Sequence, residues 1–461
     1  MNRALLIVPR RATGWRSDGV VPLLSEVESG THAALCAARI SVDIVLEGAP
    51  RFDAVLKRHD FVVMVRPARD SFRAVESAMA SSGGCLLRIL DRPEDGGVRG
   101  PRLLRKVRLA APGAPLWLSR LPRRVPVHGW RRRASFPPVA VLRPEQDDQV
   151  MGRWESGGPA LLRRSRGRSR IWTSGFPLDH LGAEDLAGLM GLLSEHAQGA
   201  EAIRAALPEG TRAVLALLHD VEDPLPDDPG GLKSVREGTE GCLRMEARQG
   251  FRATYNLVGA FAEQIPDLVK RMVSEGHEVA SHGATHREVV SLDPAALREE
   301  VQEAEARIGA ISGSRIRGFR SPRSRWSGPL LDLLAERGYV WNAEADDSPY
   351  PYPVPLQAAN GLVRVPVAVD DWGYVKGRAS PREMLNLWKR TVLSAEERGG
   401  WVAIGSHPSV LGAGAGRLEA FGTFLEWVSE RGIRVMTLGE VAAWWSAWVP
   451  REEARREAGH P

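Results

Sequence analysis

Cysteine is scarce in this chain of 461 residues: there are three, Cys36, Cys85 and Cys242, odd in number and far apart. They neither build a disulfide framework nor supply the paired knuckles of a structural zinc site. Long apolar runs are also lacking. None reaches the roughly 18 residues a spanning helix needs, which argues against a polytopic membrane protein. After Met1-Asn2-Arg3, only Ala4 to Pro9 is apolar before Arg10 and Arg11, too short for the core of a secretion signal. These absences together point to a reducing cytoplasm. Lysine is limited to Lys57, Lys106, Lys233, Lys270, Lys376 and Lys389, so the basic side chains are mostly arginine. Codon bias explains that choice at least as well as phosphate recognition does.

What is present is an ordinary globular composition, 43% hydrophobic and 26% charged, at a length that allows two or three domains. The net charge of +5 divides unevenly: residues 1–200 hold 31 basic and 20 acidic side chains, and the remainder holds 31 and 37. Two differently charged parts imply two domains, residues 1–200 and 210–450, with a charged tail at 451–461. The arginines at 131–133 and 163–170 lack interleaved aromatics and read as a solvated surface, so no nucleic acid partner is expected. The Trp444-Trp445-Ser446-Ala447-Trp448-Val449 segment with Arg451 to Arg456 has two readings. One is peripheral membrane contact, and the other, favoured, is packing of a last helix.

In the first part, apolar runs at 4–9, 42–46, 61–65 and 85–90 alternate with helical stretches at 23–38, 52–57 and 74–80. The pattern predicts a parallel sheet covered on both faces. Residues 91–143 read as insertion, loop or edge structure. A hairpin turn at Gly167 and a helix over 183–196 follow. From residue 210 strands and helices alternate about seven times, with strands at 213–218, 253–258, 277–280, 316–320, 362–369 and 401–405. That predicts a (β/α) barrel with its chemistry at the C-terminal strand ends.

Ionisable residues recur at those ends. His219-Asp220-Val221-Glu222-Asp223 closes the first apolar run, and several acids at a buried strand end are costly unless a cation neutralises them. His282 and His286 are four apart, which on a helical turn puts both imidazoles on one face, ready for a divalent ion with a carboxylate from another strand. Arg320 ends a later strand, where it could hold a carboxylate ionised. His407 ends a later one still, placed to deliver a proton.

Together these residues resemble the polysaccharide deacetylase (NodB-homology) family of carbohydrate esterases over residues 210–445. Gly276 to His286 is similar to the family's HxxxH metal motif, Arg320 with Pro322 to its Arg-x-Pro motif, and His407 with Pro408 to its last motif; Ala253 to Asn256 matches its second strand loosely. The resemblance implies a deformed (β/α) barrel of the NodB type, a divalent metal with Zn2+ expected, and hydrolysis of an acyl group. It implies Asp220 as base, Glu222 with His282 and His286 as metal ligands, and His407 as the acid that protonates the leaving amine. Asp223 competes with Glu222. Asp347 is the candidate for the acid that tethers Arg320, with Asp371 the alternative. Residues 1–200 weakly resemble the flavodoxin-like class I glutamine amidotransferase-like domains. Cys85 does not stand on the strained elbow such a nucleophile needs, so that domain is expected to be non-catalytic.

The function implied is removal of an acyl group, N-acetyl by expectation, from a sugar or polysaccharide precursor. Two alternatives stand beside it: an allantoinase-like ring-opening amidohydrolase, and a glycan-binding pseudoenzyme. The acid and base present together disfavour the last.

Overall fold

The apolar runs of the first 90 residues become strands whose two faces are both covered. The computed structural model describes residues 3–9, 23–37, 40–47, 52–90, 98–99, 106–109, 116–119, 140–154, 158–178, scattered positions from 181 to 208, 210–346, 350–354, 361–371, 379–398 and 400–448. Strands β1 (Arg3–Val8), β2 (Ser41–Leu46), β3 (Phe61–Val65) and β4 (Gly84–Ile89) alternate with helices Glu26–Ala37, Phe52–Leu56 and Arg69–Ser82. All five residues of β3 are buried, as a strand between two helical layers requires. Further along are β5 (Lys106–Leu109), β6 (Leu116–Ser119), β7 (Gln149–Trp154), β8 (Pro159–Arg166) and β9 (Ser169–Ser174).

The sheet order is β2-β1-β3-β4-β9-β8-β7-β5-β6. Its first five strands are parallel, in the flavodoxin-like order. Its last four are antiparallel. The β8–β9 hairpin turns at Gly167, whose φ of 56° lies in the region glycine tolerates best. The described part of the 91–143 segment supplies β5 and β6 at the sheet edge. Most of the helix expected over 183–196 lies outside the described residues.

The second half closes on itself. Strands β10 (Val214–Val221), β11 (Thr254–Leu257), β12 (Glu278–Ser281), β13 (Gly318–Arg320), β14 (Trp341–Ala345), β15 (Val363–Val369) and β16 (Trp401–Ser406) pair in chain order, all parallel, and β16 returns to β10. This is a deformed seven-stranded barrel. A further short strand, β17 (Arg434–Met436), lies against β10 outside the ring. Helices Leu232–Gln249, Pro266–Ser274, Pro294–Ser312, Gly328–Glu336 and Pro381–Arg398 return the chain between strands. The helix 294–312 starts where it does because Asp293 accepts the Ala295 and Ala296 N–H groups at 2.9 Å and Pro294 has no N–H to satisfy.

The helix Leu438–Trp448 begins beneath the barrel. Its Leu438 N–H donates to Thr254 Oγ1 at 2.9 Å, and its Gly439 N–H donates to Glu278 Oε2 at 2.8 Å. Trp445 is buried, and Trp444 packs its ring 5.1 Å from that of Trp401. Both tryptophans therefore serve packing, the favoured of their two readings; residues 449–461 lie outside the described residues. His32 of the first half packs its ring 5.8 Å from Tyr352 and 5.9 Å from Trp445, and one apolar cluster continues through both halves. No described helix is long and apolar enough to cross a membrane.

Candidate active site

The acidic end of β10 divides its side chains between two faces, as strand alternation demands. Asp220 meets Asn256 and Arg320 on one face, while His219 meets Glu246 and Ser406 on the other. Asp220 Oδ1 accepts the Asn256 amide at 2.8 Å, and Oδ2 accepts Arg320 Nε at 2.6 Å. Burial alone would raise this carboxyl, but Arg320, with His282 and His407 nearby, holds it down to about 2.

Glu222 follows two residues later. Its Oε2 lies 2.7 Å from His286 Nε2 and 3.5 Å from His282 Nε2. Despite burial, the two imidazoles keep Glu222 well below the ordinary carboxylate range. Asp223 is exposed and stands apart from this group, because the strand has ended and its side chain points to solvent.

The two histidines do not lie on a helical turn. They lie in the loop after β12, and Gly283 between them has a φ of 88°. His286 itself takes a φ of 60°, uncommon for a residue with a Cβ and typical of strained functional loops. Glu300 fastens the loop from the following helix: Oε1 accepts the Thr285 N–H at 2.8 Å and Oε2 accepts Thr285 Oγ1 at 2.9 Å. His282 Nδ1 donates to the Arg320 carbonyl at 2.9 Å, which leaves its Nε2 lone pair facing Glu222.

Glu222, His282 and His286 each offer one donor atom, and these atoms lie within 4.8 Å of one another. Two imidazoles and a carboxylate, one imidazole fixed by an outer hydrogen bond, suit a borderline divalent ion with an open position.

His407 completes the constellation. Its Nδ1 is 2.6 Å from Asp371 Oδ1, and its own backbone N–H donates to both Asp371 oxygens at 3.0 and 3.1 Å. Nε2 thereby faces Asp220 Oδ2 at 3.8 Å and Glu222 Oε1 at 3.9 Å. Burial lowers the imidazole's pKa, but Asp371 outweighs it and pushes the value up to about 10.

Among the described residues, Arg320 has two carboxylate partners. Besides Asp220 it donates through Nη2 to Asp370 Oδ2 at 3.2 Å. Asp371, the alternative tether, holds His407 instead, and Asp347 lies outside the described residues. Asp370, Asn256 and Glu344 were not singled out from the sequence. Glu344 Oε1 accepts the Ser321 N–H at 3.0 Å and so fixes the turn that follows Arg320. The signal for Asp370 and Asp371 was the same as for Asp220, acids directly after an apolar strand.

Residues 226–341 match the family model described as polysaccharide deacetylase. Among curated proteins, the chain is 32% identical over 142 residues to a chitooligosaccharide deacetylase of Bradyrhizobium, covering 30% of this chain and 59% of that protein. It is 33% identical over 113 residues to the Sinorhizobium fredii chitooligosaccharide deacetylase, covering 24% and 53%. The chain thus spans less than two thirds of these relatives' length. Among solved structures, PuuE allantoinase aligns with 54% of this chain and 96% of its own at 20% identity, TM-score 0.48. The likeness of residues 1–200 to an amidotransferase-like domain is not borne out. The family match lies at 226–341, and Cys85 is a buried residue within β4.

Proposed function

The chain belongs to the polysaccharide deacetylase family through its barrel, and from that premise we propose that it hydrolyses an N-acetyl group on a sugar or sugar polymer. One observation carries the reading: the Glu222–His282–His286 donor group stands beside the Asp220–His407 pair, with His407 Nε2 3.9 Å from Glu222 and 3.8 Å from Asp220.

A divalent ion, with Zn2+ as the choice that fits two imidazoles and a carboxylate, would polarise the acyl carbonyl and acidify the attacking water. Asp220 would accept the proton of the attacking water. A carboxylate held near a pKa of 2 accepts a proton readily only from water whose own acidity has been raised, which is the chemistry the neighbouring Glu222, His282 and His286 donor group would supply. Asn256 and Arg320 fix its two oxygens, which leaves a defined lone pair for the transfer. His407, kept charged and oriented by Asp371, protonates the departing amine. In the same reading residues 1–200 form a non-catalytic flavodoxin-like domain packed on a barrel of residues 210–450.

The test is acetate release from N-acetylglucosamine oligomers by the purified chain, its loss on chelation and its return with added metal. Ring opening of a cyclic ureide without acetate release would overturn the reading, as would metal-independent turnover.

A further inference from the structure

Glu246, on the helix Leu232–Gln249, is wholly buried and lies on the side of the barrel wall away from the pocket. Its Oε1 is 2.6 Å from His219 Nε2, and its Oε2 accepts Tyr255 Oη–H at 2.7 Å. His219 Nδ1 in turn lies 2.8 Å from Ser406 Oγ. In register, His219 is opposite Tyr255 on β11 and Ser406 on β16. Each residue bound by this network immediately precedes a pocket residue in the chain: His219 precedes Asp220, Tyr255 precedes Asn256, and Ser406 precedes His407.

We propose that Glu246 is a positioning residue for the reaction, a single carboxylate that locks three strand ends from behind and so sets the Asp220–Asn256–His407 geometry in front. The proposal rests on the deacetylase reading above. Its physical basis is that a strand's successive side chains stand on adjacent Cα atoms joined by one planar peptide unit and point to opposite faces, so fixing the outward side chain restrains the inward one. An apolar contact at the same place would keep the strands packed without fixing their axial setting. The Glu246 bonds of 2.6 Å to His219 on β10 and 2.7 Å to Tyr255 on β11, with the 2.8 Å bond that His219 relays to Ser406 on β16, fix direction as well as distance. Two of the bonds cross from one element to another far in sequence: His219 to Ser406, and His219 to Glu246. A displacement of about 1 Å at reacting groups costs up to ~10²-fold in rate, so a lock of this kind acts on kcat.

The experiment compares wild type with Glu246→Leu, which removes both bonds at similar volume, Glu246→Gln, which keeps two hydrogen bonds by reversing one, and Ser406→Ala, which cuts only the link to β16. The readouts are kcat and KM on N-acetylglucosamine oligomers, turnover of para-nitrophenyl acetate, metal stoichiometry, and the Asp220–His407 separation in crystals of each protein. Glu246→Leu is expected to lower amide kcat by about tenfold or more with KM and metal content unchanged, and Glu246→Gln to recover most of it. Ser406→Ala is expected to cost several-fold on the amide and less on the activated ester, with the separation lengthened from 3.8 Å. Should Glu246→Leu fail to fold, Ser406→Ala decides. A lowered Tm with kcat, the amide-to-ester ratio and the separation all unchanged would reduce Glu246 to scaffold and overturn the proposal. Wild type without acetate release would overturn the deacetylase reading instead, and the crystallographic separation in the variants would still decide this one.

Discussion

His407 and Asp371 are joined twice: the imidazole Nδ1 lies 2.6 Å from a carboxylate that also accepts the backbone N–H of the same histidine. The double attachment fixes both the ring's direction and the strand end that carries it. Asp371→Asn keeps the size of the side chain and removes its charge. Amide turnover should fall by roughly 10- to 100-fold with metal still bound, and the loss should shrink on para-nitrophenyl acetate, whose leaving group needs no proton. Equal losses on amide and ester, read by steady-state kinetics, would remove His407 from the acid role.

Metal content separates the two acids after β10. Glu222→Gln, and the paired change His282→Ala with His286→Ala, should abolish stoichiometric binding of a divalent ion, while Asp223→Asn should leave it intact because that side chain faces solvent. Elemental analysis of the purified variants checks this directly.

Asp220→Asn should retain the metal and lower turnover by roughly 10²-fold or more, the scale a general base contributes. Release of the metal by this variant would make Asp220 a ligand instead. In the native chain Asp220 is ionised from neutral pH down to about 2. The stability its pairing with Arg320 gives is therefore fully present above the ordinary aspartate pKa of 3.8 and is lost progressively as pH falls from there through about 2.

His32 works in the opposite way. Burial holds its pKa near 3, so the folded chain keeps the ring neutral where the unfolded chain, with its ordinary value of 6.5, takes up a proton. Stability should therefore fall as pH drops below about 6.5, and His32→Leu should flatten that slope. Thermal melts of both proteins between pH 7 and pH 4 measure it, and parallel slopes would show that His32 contributes nothing.

Most of the barrel was legible because its strands are apolar runs and its chemistry collects where those runs stop. Asp220, Glu222, His282, His286, Arg320 and His407 all come together in space. β14 was not legible: Asn342 and Glu344 break its apolar pattern, yet both are buried, bonded to each other and to the backbone of β13 and the turn after it. The histidine pair was found by its spacing, but its conformation was misread. A four-residue interval suits a helical turn, and it equally suits a loop bent at Gly283 and held by Glu300, a residue 15 positions from Thr285 whose role no local pattern announces. The tether of Arg320 was beyond reach because it is set by which neighbouring strand end stands closest.

The floor of the barrel has a consequence for the order of assembly. Among the described residues, the backbone N–H donors to Thr254 Oγ1 and Glu278 Oε2 are those of Leu438 and Gly439, 184 and 161 positions away. All seven strands are synthesised before those donors exist. Until the segment beyond residue 437 arrives, Glu278 has the side-chain donors Thr254 Oγ1 at 2.7 Å and Trp341 Nε1 at 2.8 Å but lacks the Gly439 N–H, and that end of the barrel lacks its covering helix. A chain truncated at residue 437 should accordingly be more protease-sensitive than one that carries the helix Leu438–Trp448.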